Sequence, residues 1–245
     1  MPAMAKLMWM KGQTLFRDEA NGGRTNYIPL YHPDRESYDP LNLPLRNYDE
    51  LIEQAVKVDT APTDAEAERH AKNTGINGLP LLAALSSLSF PDSFAHNLMP
   101  LIPQNIIKNL LDLWTDNFKG LDEGEGEYQL ESAVIDEIGG ACVLAGDTTL
   151  ASFGARTPNP ATQRHYFMAE SYTLWATLWG PVLLHGRFEK PKYCKHFLQL
   201  VKIFNNCLKL SIDREYVDTE LWTRIADWVQ RFEKCVEFDL HLNGA

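Results

Sequence analysis

The sequence predicts a mainly α-helical protein with an irregular, turn-rich N-terminal arm over 1–46 and at most a few short strands. Three observations carry that expectation. Apolar residues recur with the 3.6-residue period of a one-sided helix after residue 47, no alternating strand pattern follows Phe94, and turn-forming residues crowd the beginning of the chain. Gly22, Gly23 and prolines at 29, 33, 40 and 44 punctuate the arm and leave only short apolar runs. If strands exist they belong at Tyr27 to Tyr31 and at Ser89 to Phe94.

The remaining chain, 47–245, reads as one helical domain. Asn47 is placed to cap a helix whose inner face is Leu51, Ile52, Ala55 and Val56, ending near Asp59. Thr63 and Glu66 form a T-x-x-E capping box and Gly75 supplies a stop, so Asp64 to Asn73 is a second helix, polar and mostly exposed. From Ile102, the spacing of Ile106, Ile107, Leu110, Leu111 and Trp114 is that of a buried helical stripe. Residues 119–128 gather acids and glycines and are expected to form a solvated acidic loop. Glu131 to Ala145 follows as a helix with a weak point at Gly139-Gly140, then a Pro- and Thr-rich connector over Ala151 to Gln163, then helix again from about Ala169. Over 192–210 a helical wheel gathers Phe197, Leu200, Val201, Phe204, Cys207 and Leu208 on one side. Leu221, Ile225, Trp228, Val229, Phe232 and Val236 repeat the pattern, and the short Ser211-Ile212-Asp213 turn predicts that the two helices pack antiparallel. The expected core is Leu110, Leu111, Trp114, Trp175, Trp179, Val201, Phe204, Ile225, Trp228 and Phe232.

Composition narrows the function. The chain has 245 residues, 44% hydrophobic and 23% charged, with 23 Lys plus Arg against 33 Asp plus Glu, a formal net charge of −10. Such a charge repels a phosphate backbone unless a local basic patch overrides it, which argues against bulk DNA coating. Four cysteines without a C-x-x-C pair, and no secretory or membrane-spanning run, lead us to expect an intracellular protein of nucleus or cytoplasm with reduced thiols.

Most catalytic templates are missing from the sequence: G-x-S-x-G, G-x-x-x-x-G-K-[ST], G-x-G-x-x-G and H-E-x-x-H do not occur. The seven histidines form no i, i+4 pair with one another or with cysteine, so core or surface roles are expected for them and no metal is assigned. The acids Asp122, Glu123, Glu125 and Glu127 lack the register of a calcium loop. Trp175 and Trp179, four residues apart, suit a helix core better than a stacking platform. One basic block stands out: between His185 and Leu210, Arg187, Lys190, Lys192, Lys195, Lys202 and Lys209 face Glu189 alone, 6 − 1 = +5. Lys195, Lys202 and Lys209, seven residues apart, form a stripe of candidate phosphate contacts, although such a stripe is more often a hydrated helix face.

Read together, six segments resemble fungal transposable-element proteins related to CACTA-type (En/Spm-like) DNA transposases. They are NYIPLYHPDRESYDPLNLPLR at 26–46, VDTAPTDAEAERHAKNTGINGLPLL at 58–82, SLSFPDSFAHNLMPLI at 87–102, FKGLDEGEGEY at 118–128, FMAESYTLW at 167–175 and GPVLLHGRF at 180–188. The resemblance implies a piece of a longer transposase whose intact relatives carry an RNase H-like core, with acidic residues and two divalent metals, Mg or Mn, driving attack on a phosphodiester. In that family the segment after S-F-P is expected to read D-x-M-H. This chain has Asn97-Leu98-Met99-Pro100 instead, losing a carboxylate at Asn97 and an imidazole at Pro100. The resemblance also sets Glu170 against a third acid of the family, although a helix N-terminus, where a carboxylate complements the dipole, suits it better. The arm offers no convincing strand for the first catalytic Asp, and Lys6 to Gly12 lacks the cysteines of a knuckle found in relatives. The resulting expectation is a truncated, catalytically degenerate derivative that is not an enzyme, has no intact catalytic residue and needs no cofactor. It is expected to bind DNA weakly at most when alone and to leave room for a protein partner. A helical interaction or weak nucleic-acid-associated module is the alternative, and an active metal-dependent nuclease a second one.

Overall fold

The computed structural model describes residues 39, 41–43, 45–90, 92–93, 98–117, 127–150 and 156–240, the side chains at 99 and 233–240 excepted. Among them are seven helices and no strand. The chain divides into two compact units, 1–96 and 97–245, so the division falls after His96, inside the span 47–245 that the sequence presents as one domain. The Tyr27 to Tyr31 segment, most of the arm, and the acidic loop except Glu127 and Tyr128 lie outside the described residues.

In the first unit, local capping chemistry sets the helix limits. Helix α1 (Tyr48–Asp59) opens on Asn47, whose side chain accepts the Glu50 N–H at 2.9 Å. Helix α2 (Asp64–Thr74) opens on Thr63, whose hydroxyl accepts the Glu66 N–H at 3.3 Å, and closes on Gly75 in the left-handed region at φ 76°. As expected, α2 buries no residue. The two helices pack on each other around Leu51, Ala55, Ile76 and Phe90. Arg46, buried beside them, donates to the Thr74 carbonyl at the negative end of α2, and to Gln54 Oε1 at 3.4 Å. Ser89 to Phe94, a strand candidate from sequence, is corrected where it is described: Ser89 and Ser93 close a turn, with the Ser93 N–H donating to the Ser89 carbonyl at 2.7 Å, and this turn delivers Phe90 to the small core.

The second unit holds five helices. Helix α3 covers 98–114 (Leu98–Leu101, Ile102–Ile107 and Lys108–Trp114), α4 is Ser132–Thr148, and α5 covers 169–183 (Ala169–Leu174, Trp175–Trp179 and Gly180–Leu183). Helix α6 is Pro191–Cys207 and α7 covers 214–240 (Arg214–Tyr216, Val217–Leu221 and Trp222–Leu240). The α3 terminus is a Schellman motif: Asp116 adopts φ 54°, its N–H reaches the Leu113 carbonyl at 3.4 Å, and the Asn117 N–H reaches the Asp112 carbonyl at 2.8 Å. An Asp rather than a Gly holds the left-handed position there, one of the few other residue types that tolerate it.

Three of these helices widen to π geometry in their interior, at Ile102–Ile107, Trp175–Trp179 and Val217–Leu221. Proline accounts for the first two. Pro103 and Pro181 have no N–H for the carbonyl one turn back, and a wider turn relieves the ring's clash with it. Threonine hydroxyls bonded four residues back add to the distortion, Thr173 to Ala169 and Thr177 to Thr173 in α5, and Thr219 to Glu215 and Thr223 to Thr219 in α7, at 2.7 to 2.8 Å.

The core gathers the apolar stripes of all five helices, and its centre is aromatic. Phe197 of α6 is fully buried, edge-on to Trp114 of α3 at 5.5 Å and against Trp175 of α5 at 5.8 Å. Gly180 lets α5 approach α6, for a Cβ there would stand 2.8 Å from Phe197 Cζ. Helices α6 and α7 pair as an antiparallel hairpin, His196 and Trp228 lying symmetrically about the 208–213 turn, where Asp213 caps α7. The expected core residues Leu110, Leu111, Trp114, Trp175, Val201, Phe204 and Trp228 are buried, and Trp179 and Phe232 pack at its edge. Ile225 is a correction: it is 40% exposed, because α7 turns Ala226 and Trp228 inward and carries Ile225 to the flank.

The two central glycines of α4 serve different ends. Gly139, a weak point by sequence, is a close-approach site: a Cβ there would stand 2.3 Å from Asn159 Oδ1, which accepts the Ala161 and Thr162 N–H groups. Around Gly140 nothing lies within 4 Å of such a Cβ. Gly140→Ala is therefore expected to raise stability by up to about 1 kcal/mol through helix propensity, while Gly139→Ala lowers it despite the same gain. Urea unfolding of the two variants checks this. In the same assay Trp228→Ala is expected to cost about 3 to 5 kcal/mol.

Candidate functional site

Pro100 and Glu170 lie on two helices of the second unit that pack against each other, α3 and α5. Asn97 lies outside the described residues. Pro100 stands in the first turn of α3, where a missing N–H costs no helical bond, and its carbonyl accepts the Asn105 side-chain amide. Glu170 lies exposed in the first turn of α5, next to the positive end of the helix dipole.

Sequence reasoning missed the charged site that organises this region. Asp112, in the last turn of α3, is 8% exposed. Its Oδ2 accepts Lys108 Nζ at 2.6 Å and its Oδ1 accepts Arg164 Nη1 at 2.8 Å. Arg164 is also buried along most of its side chain and donates to Thr115 Oγ1 at 2.9 Å and to the Pro160 carbonyl at 3.0 Å. The network pins the connector before α5 to the end of α3. Tyr172 of α5 stands near it, its hydroxyl pKa raised by burial first and by Asp112 next, with Arg164 opposing. The Lys108–Asp112 pair was visible at i, i+4 spacing, but nothing local announces a partner fifty-two residues away.

The basic block is compensated in part. Arg187 pairs with Glu137 at 2.6 Å, and Glu127 takes Lys190 and, at 3.9 Å, Lys192, whose ammonium also lies 4.7 Å from the Tyr193 ring centroid. Lys195 and Lys202 are exposed on α6. Lys209 departs from the expected stripe, because α6 ends at Cys207 and Lys209 follows the Leu208 cap. Two lysines, rather than three, share the helical face.

The cysteines and histidines take core and surface positions. Cys142 is buried and its thiol pKa is pushed up to about 11, burial outweighing the opposing influence of the Trp175 indole. Burial raises Cys194 and Cys207 as well, which makes these thiols poor nucleophiles. His196 and Trp228 clasp α6 to α7: the imidazole Nε2 donates to the Trp228 carbonyl at 2.9 Å, the indole donates to the His196 carbonyl at 3.1 Å, and the rings stack at 4.5 Å. Among the described residues no three His, Cys, Asp or Glu side chains are grouped to hold a metal. Cavities beside the core, one lined by Cys142, Gly146 and Trp179 and one by Thr115, Ile138 and Trp175, enclose about 10 and 20 Å³, the size of a water rather than a ligand. No helix is long and apolar enough to cross a membrane among the described residues.

Two outcomes follow from these geometries. Asp112→Asn leaves Arg164 buried without its counter-ion and is expected to cost about 3 kcal/mol in urea unfolding. His196 has its pKa lowered from 6.5 by burial, with the Trp228 carbonyl opposing and Arg231 adding to the depression. A depressed histidine contributes stability above its unfolded pKa, and that contribution is lost as pH falls below about 6.5. Wild type is thus expected to lose more stability than His196→Gln between pH 7 and pH 5, measured by unfolding midpoints at each pH.

No family model, curated protein or solved structure matches the chain.

Proposed function

We propose that this chain is a catalytically inactive derivative of a fungal CACTA-like DNA transposase, acting inside the cell as a helical body without strand-transfer chemistry of its own. The observation that carries the reading is the Asn97-Leu98-Met99-Pro100 tetrad, which stands where the family motif places Asp and His. Its described residues open α3, and Pro100 serves there as a helix-start residue. The treatment of Asp112 supports it further. Both carboxylate oxygens are engaged by cations of the protein, so a divalent ion would have to displace Lys108 or Arg164 to reach them. Exposed apolar side chains, with Leu144 at 72% and Val182 at 71%, favour the second reading, a helical module that works through a protein partner.

The test is nicking of supercoiled plasmid in Mg²⁺ or Mn²⁺. No cleavage is expected, and none after Asn97→Asp with Pro100→His, because a single restored motif cannot bind two metals. Metal-dependent nicking that disappears in Glu170→Gln would overturn the reading. For DNA binding, Lys195 and Lys202 neutralise about two phosphates, so the log–log salt slope is expected near about −1.8, with dissociation constants of about 10⁻⁴ M or weaker at physiological salt. A sub-micromolar dissociation constant at about 150 mM salt, lost on changing both lysines to Gln, would place nucleic-acid binding first instead.

A further inference from the structure

We draw no further inference here: the strongest candidate, the exposed apolar face of Val143, Leu144 and Leu150 at the end of α4 with Leu178 and Val182 on α5, carries nothing because nothing in the structure shows what covers it.

Discussion

Phe197 imposes the constraint on which the second unit depends. Its ring is wholly buried among Trp114, Trp175 and the backbone of Gly180, so three helices must meet at the distance one aromatic ring dictates. Once α6 presents Phe197 there, α5 can approach only through a residue without a Cβ, and α3 meets the ring with Trp114 in a T-shaped contact. Phe188 and Tyr193 extend the aromatic contacts toward Tyr128, which brings the end of the acidic segment onto the same core. The opposite flank of α6 is fastened by different chemistry, the reciprocal His196–Trp228 hydrogen bonds that join the hairpin.

Several charged residues of this unit join its elements to one another. Asp112 and Arg164 tie the connector to α3, Glu137 holds Arg187, and Glu127 holds the lysines at the start of α6. The Arg187–Glu137 and Lys190–Glu127 pairs are partly exposed and contribute little stability each, so their consequence is mainly electrostatic. Glu137 and Glu127 lower the +5 of the block to 5 − 2 = +3 and so weaken the field that would draw a phosphate backbone. The α3 terminus shows the same double use, since Asp112 serves as counter-ion by its side chain and as Schellman acceptor by its carbonyl.

Features written in neighbouring residues were legible in the sequence. Asn47, Thr63 and Gly75 mark helix ends because capping needs only bonds within one turn, and the start of α5 at Ala169 follows from the renewed apolar period. Features that depend on tertiary approach were not. Gly139 looks like a flaw in α4 until Asn159 is found against it, and Asp112 looks like an ordinary surface acid until Arg164 arrives from the connector. A wheel that joins Lys209 to Lys195 and Lys202 assumes an unbroken helix, whereas α6 ends two residues before Lys209. A fixed 100° step likewise places Ile225 inward beside Trp228, whereas the packing of α7 buries Ala226 and Trp228 and leaves Ile225 on the flank. Of the candidate site, the sequence offers the Asn97 to Pro100 tetrad through resemblance alone and the dipole position of Glu170 from its place before an apolar helical run; the geometry adds the helix-start role of Pro100.

The central claim is that close packing of Gly180 against Phe197 holds α5, α6 and α3 together. A double-mutant cycle in the full chain tests it most directly, with unfolding free energies for Gly180→Ala, Phe197→Leu and the pair. The extra methyl should cost about 1 to 3 kcal/mol in the wild-type background, despite a propensity gain of about 1 kcal/mol. In the Phe197→Leu background, where the aromatic ring no longer presses on the added methyl, the cost should be distinctly less. Equal effects of Gly180→Ala in both backgrounds, or a stabilisation by it in the wild type, would contradict the account.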